Sequence, residues 1–90
     1  MKLYRICTEA TGQMETRALD AVRAHFDGFT VLYSIGYWRG AREYSMVIEI
    51  VAEDSRFAAI LAVARAIRVA NKQEAVCVQE LDVMLSSVVA

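Results

Sequence analysis

Apolar positions along this chain keep two periods. From Met1 to Thr8 bulky residues alternate, which predicts a strand. Thr8 to Gln13 is a polar loop containing Gly12. Met14, Ala18, Leu19, Val22 and Phe26 then recur at helical spacing, predicting a first helix over 14–26 that stops at Asp27-Gly28. Alternation returns at Phe29, Val31, Tyr33 and Ile35 for a second strand, and at Tyr44, Met46, Ile48 and Ile50 for a third. Between them, GYWRGAR reads as a turn. Asp54 is a natural N-cap for a second helix running to about Ala70, which Asn71-Lys72-Gln73 breaks. Glu74 to Leu81 completes a fourth strand.

The order β-α-β-β-α-β is that of the ferredoxin-like α+β fold: an antiparallel four-stranded sheet of order 4-1-3-2 with two helices on one face. Tyr4, Ile6, Phe29, Val31, Tyr33, Ile35, Met46, Ile48, Ile50, Val76 and Val78 should form the inner face. Leu19, Val22, Phe26, Phe57, Leu61, Ala64 and Ile67 should cover it. No repeat, linker or low-complexity tract divides the 90 residues, so the chain reads as one domain, with a core over 1–82 and an apolar tail over 83–90.

Composition changes the picture in one respect. Hydrophobic residues make up 57% of the chain, high for a domain with so much surface. The predicted open sheet face carries Leu32, Val47, Val51, Cys77 and Leu81 around Arg5, Glu49 and Gln79. The outer side of the second helix would carry Ala59, Ala62, Val63, Ala66 and Val69. Both point to a homo-oligomer, most simply a dimer through the open sheet face. Arg5 and Glu49 there read as a structural ion pair or as part of a second site.

A net charge of -1 gives no electrostatic footprint for duplex nucleic acid. No apolar run reaches membrane-spanning length and no secretory leader opens the chain, so the expected setting is cytoplasmic, with no membrane partner. Cys7 and Cys77 form no CxxC pair, and one histidine cannot complete a Cys/His set, so no metal and no cofactor are expected. Two buried free thiols are the simple reading. A disulfide is open only if their strands are neighbours.

The candidate chemistry lies at one end. Topology brings the loop after strand one, the GYWRGAR turn and the loop after helix two together, beside the start of helix one, whose free N–H groups favour an anion. Tyr37 and Trp38 offer stacking surfaces, Arg39 and Arg42 offer phosphate donors, and Glu43 and Glu74 offer acceptors for a ribose diol, with Thr11 and Gln73 beside them. This set suits a small anionic, nucleotide-like ligand. No nucleophile–base pair and no phosphate-cradling loop appears, so catalysis has no support beyond a carboxylate pair of Glu43 with Glu9 or Glu74.

The residues from Phe29 to Val78 resemble a family of short, uncharacterised proteins of bacteria and their phages. The resemblance rests on Gly28-Phe29-Thr30-Val31, Gly36-Tyr37-Trp38-Arg39-Gly40, Arg42-Glu43 with Ser45, Val47-Ile48-Glu49-Ile50, and Gln73-Glu74-Ala75-Val76. Tyr44 stands where many relatives have proline. The resemblance implies this architecture and a phage association. Compact phage proteins with polar pockets resemble sponges that sequester nucleotide immune signals in the host cytoplasm, which makes sequestration the functional expectation. The alternatives are an oligomeric interaction protein without a small ligand, in which Trp38 is a contact residue, and an enzyme degrading a nucleotide signal.

Overall fold

The computed structural model describes residues 1–84, 87 and 89. The elements follow the order β1 (Lys2–Glu9), α1 (Met14–Arg23), β2 (Thr30–Trp38), β3 (Ala41–Ala52), α2 (Phe57–Ala70) and β4 (Cys77–Asp82), with a 3-10 turn at Asp54–Arg56 leading into α2. The sheet order is β2-β3-β1-β4 and every pairing is antiparallel. This is the α+β ferredoxin-like arrangement, read from the opposite edge.

The core follows from strand parity. Tyr4 and Ile6 on β1 and Met46, Ile48 and Ile50 on β3 are fully buried or within 1% of it. They meet Ala18, Val22 and Phe26 from the first helical segment and Ile60, Val63, Ala64 and Ile67 from α2. Phe29, Val31, Val76 and Val78 pack around them, half-buried. Arg56 closes the rim: its guanidinium lies over the Phe26 ring, 4.6 Å from the centroid, and donates to the His25 carbonyl at 2.7 Å.

Several expectations change. The first helix ends at Arg23, because the His25 and Phe26 N–H groups both turn back to the Val22 carbonyl. Asp54 does not cap α2 with its side chain. It opens the preceding 3-10 turn and pairs with the terminal amine at 3.7 Å. Val63 is fully buried, not outward, because α2 packs on both the sheet and α1 and so needs a wide apolar face. Ala66 and Val69 remain exposed, as expected. Phe57 is largely exposed at the edge, with its ring centroid 6.0 Å from that of Tyr4. Strand β4 starts at Cys77, leaving Glu74 in the preceding loop. Of the apolar tail, Leu85, Val88 and Ala90 lie outside the described residues, while Met84 and Val89 are exposed.

The largest difference concerns GYWRGAR. It is not a loop. Strand β2 runs through Trp38 and β3 restarts at Ala41, with Trp38 opposite Ala41, Tyr37 opposite Arg42 and Gly36 opposite Glu43. Only Arg39 and Gly40 turn, at φ 51° and 80°. Positive φ at both central positions is the two-residue hairpin geometry whose twist matches that of the strands. The hairpin therefore overshoots the helices. Tyr33 and Ile35, expected in the core, are 64% and 46% exposed, and Tyr33 meets α1 at Glu15 through its hydroxyl.

Ile48 touches the centre of this core, with Ile6 and Val31 as its cross-strand partners. Ile48→Ala is expected to cost about 2–5 kcal/mol, read as a lower urea midpoint at unchanged slope.

Candidate functional site

Strand β3 is longer than its neighbour β1. The last β1 pairing is Glu9 with Ser45, followed by one further bond from the Ala10 N–H to the Tyr44 carbonyl at 2.9 Å. Beyond that point the hairpin continues alone and reaches across the sheet end to the loop between α2 and β4. There the Arg39 guanidinium pairs with Glu74 at 2.8 Å, and Trp38 Nε1 donates to the same carboxylate at 3.3 Å. Arg39 also lies over the indole, 5.7 Å from its centroid.

That loop is fixed from the other side as well. Helix α2 ends in a Schellman arrangement: the Lys72 N–H bonds to the Val69 carbonyl and the Gln73 N–H to the Arg68 carbonyl. Lys72 takes the left-handed position, φ 51°, where glycine is usual. Asn71 Nδ2 then donates to the Met14 carbonyl at 3.0 Å, and the buried Thr8 hydroxyl donates to Gln73 Oε1 at 2.7 Å. Successive loop residues thus hold α1, β1 and the hairpin tip.

Between hairpin and loop lies a cleft of about 620 Å³ on the open face of the sheet. Cys7, Glu9, Glu43, Ser45 and Gly36 lie along the strands that line it, with Trp38 and Tyr37 on one side and Gln73 and Glu74 on the other. Gly36 keeps that surface low: a Cβ there would come within 2.8 Å of Ser45 Oγ. Burial, and then the adjacent Glu9 carboxylate, push the Glu43 carboxyl above its ordinary range. Burial, and then the facing Cys77, likewise raise the Cys7 thiol.

The expected site residues divide by strand parity. Trp38, Glu43, Gln73 and Glu74 border the cleft, Tyr37 adjoins it from the helix-side face as the cross-strand partner of Arg42, and Arg39 is latched to Glu74 above it. Arg42 and Thr11 are not brought there. Arg42 shares the helix-side face with Tyr44 and lies 5.9 Å from that ring's centroid. Thr11 lines a separate hollow of about 430 Å³ with Gly12, Tyr33 and Tyr44. The start of α1, expected to favour an anion, carries Glu15, which accepts the Tyr33 hydroxyl at 2.5 Å. Arg5 and Glu49 are ion-paired at 2.8 Å on the open face.

The cleft is consequently richer in carboxylates than in free cations. Glu9, Glu43 and Glu74 line it, with Lys72 as the cation of the lining. Cys7 and Cys77, read from sequence as buried free thiols, line the cleft instead, Cys7 half-buried and Cys77 exposed. The two thiols are separated by most of the chain, and only the β1–β4 register, with Cys7 opposite Cys77, brings them together.

No family profile matches the chain, and no curated protein matches it. Among solved structures, the chain is similar to the crystal structure of a DUF3240 family protein from Shewanella baltica OS155. The TM-score is 0.74 at 13% identity, over 99% of this chain and 97% of the other. At that identity the likeness supports the fold alone. No helix of the described residues is long and apolar enough to cross a membrane.

The raised Glu43 carboxyl has a signed consequence. Between its unfolded and folded pKa values the folded state binds more protons, so stability falls as pH rises through that window and stays lower above it. Glu43→Gln removes this cost. The variant is expected to melt above the parent at about pH 7, with the gap closing below about pH 4, where both states are protonated. Parallel thermal melts at the two pH values check it.

Proposed function

We propose that this chain is a non-catalytic binding protein for a small nucleotide-derived ligand, held in the cleft between the β2–β3 hairpin and the α2–β4 loop. One observation carries the reading. A volume of about 620 Å³ combines an aromatic wall, Trp38, with acceptors at Glu43 and Glu9 on the same sheet face. A flat heterocycle stacks on the indole, and its amino or ribose hydroxyl donors meet the carboxylates. Phosphate points outward to Arg39 and Lys72, the cations nearest the rim. Arg42, on the other face, has no part in binding.

The open sheet face supports a homo-oligomer. Leu32, Val51 and Leu81 are 49%, 50% and 39% exposed there. A second copy seated on this face would bury them and roof the cleft. Sedimentation is expected to give at least twice the 10.0 kDa chain mass at micromolar concentration. A monomer mass independent of concentration would remove the second copy from the site.

Trp38 is the only tryptophan, so its emission reports the site directly. A thermal-shift screen over nucleotides, cyclic dinucleotides and ADP-ribose derivatives is expected to raise the melting midpoint with one class, by mass action on the folded state. The same ligand should perturb Trp38 fluorescence. Trp38→Ala should lose most of the affinity, worth about 1–3 kcal/mol of stacking, while Arg42→Ala binds as the parent does. Recovery of intact ligand identifies sequestration, and its breakdown, lost in Glu43→Gln, identifies an enzyme instead. No shift with any ligand, together with a changed assembly mass in Trp38→Ala, would replace the reading with that of an interaction protein.

A further inference from the structure

Cys7 and Cys77 are directly opposite one another in the antiparallel β1–β4 pair. Directly opposed residues project from the same face, with Cβ atoms roughly 4.5–5.5 Å apart. Both side chains lie on the open face and both line the cleft. Cys77 is exposed, Cys7 is half-buried, and neither is in a disulfide. Two thiolates that hold one ion in line need their sulfurs apart by about twice a metal–thiolate bond of roughly 2.3 Å, a span comparable to the Cβ spacing of a directly opposed pair.

We infer that Cys7 and Cys77 form a two-coordinate thiolate site for a soft d10 metal ion of the copper(I) class, reached through the cleft. Binding replaces two S–H bonds by two metal–sulfur bonds and releases two protons, with no electron transferred. The ligand count selects the ion. Among the described residues no group of three or more histidine, cysteine, aspartate or glutamate side chains is arranged to hold a metal. Zinc, calcium and magnesium each need more than two ligands, whereas soft thiolate pairs suit copper(I). Arg5 sits on the same face, two residues from Cys7, and is paired with Glu49 at 2.8 Å. The inference rests on strand register and does not depend on nucleotide binding.

The test is an anaerobic competition between the reduced 90-residue chain and the coloured copper(I) complex of bathocuproine disulfonate. The chain is expected to withdraw one copper(I) per molecule. Cys7→Ser and Cys77→Ser should each weaken uptake by more than about 100-fold, beyond the loss usual for a supporting residue. Because Cys77 is exposed, Cys77→Ser keeps the fold and carries the test if Cys7→Ser does not fold. Failure of the parent chain to draw copper(I) from the chelator overturns the assignment. So does undiminished uptake by Cys77→Ser, or a stoichiometry of one ion per two chains, which would place the ligands on different molecules.

Discussion

Strand β3 pairs with β2 from Ala41 onward but with β1 only from Ser45 onward. The difference leaves a two-stranded ribbon projecting beyond the sheet and beyond the helices. A free ribbon of this kind is marginal in water. Here it is pinned at both ends. Its base continues into the core at Met46, and its tip is tied to Glu74 by Arg39 and Trp38. The turn geometry at Arg39-Gly40 sets the register, and the register decides which side chains face the cleft. A slip of one residue would exchange Glu43 for Arg42 and turn an acceptor-lined cleft into a cationic one.

The opposite wall has its own constraint. Arg39 and Lys72 are the two non-glycine residues with positive φ among those described, and both stand at this end of the molecule. Backbone strain of this kind persists where surrounding contacts over-determine it, and such residues gather at ligand clamps. At Lys72 those contacts are the Schellman bonds and the anchors of Asn71 and Gln73 on either side. A glycine would fit the backbone better. A lysine at this position leaves a cation at the rim of a cleft that is otherwise acidic.

The fold was legible because its signals are local. Period-2 alternation at Met46, Ile48 and Ile50 and helical spacing through Val22 place those residues inside, and the element order leaves few sheet topologies. The site was less legible for a physical reason. GYWRGAR contains two glycines between aromatic and charged residues, so its composition resembles a loop, and a loop pools its side chains. A strand separates them by parity. Read as continuing alternation, Ile35, Tyr37, Arg42 and Tyr44 go to one face and Gly36, Trp38, Glu43 and Ser45 to the other. Arg-Gly in place of the commoner Asn-Gly concealed the two-residue turn. The exposure of Tyr33 and Ile35 was hidden in the same way: their spacing is that of core residues, and only tertiary packing decides that they are not. The facing thiols needed a register that sequence separation could not supply.

Ligand entry must be reconciled with the latch that shapes the cleft. Arg39 covers part of one indole face while it holds Glu74. A heterocycle bound as proposed would take the free face of Trp38 or displace the guanidinium. Displacement is inexpensive. Both partners of the Arg39–Glu74 pair are exposed, and exposed ion pairs contribute at most about 1 kcal/mol. Stacking on tryptophan is worth more than that. Opening the latch would also free the guanidinium for the proposed ligand's phosphate while Trp38 keeps its position in β2. The Arg39–Glu74 pairing could thus be exchanged for one with the proposed ligand, because the strand register and the Thr8 and Asn71 anchors hold the frame without it.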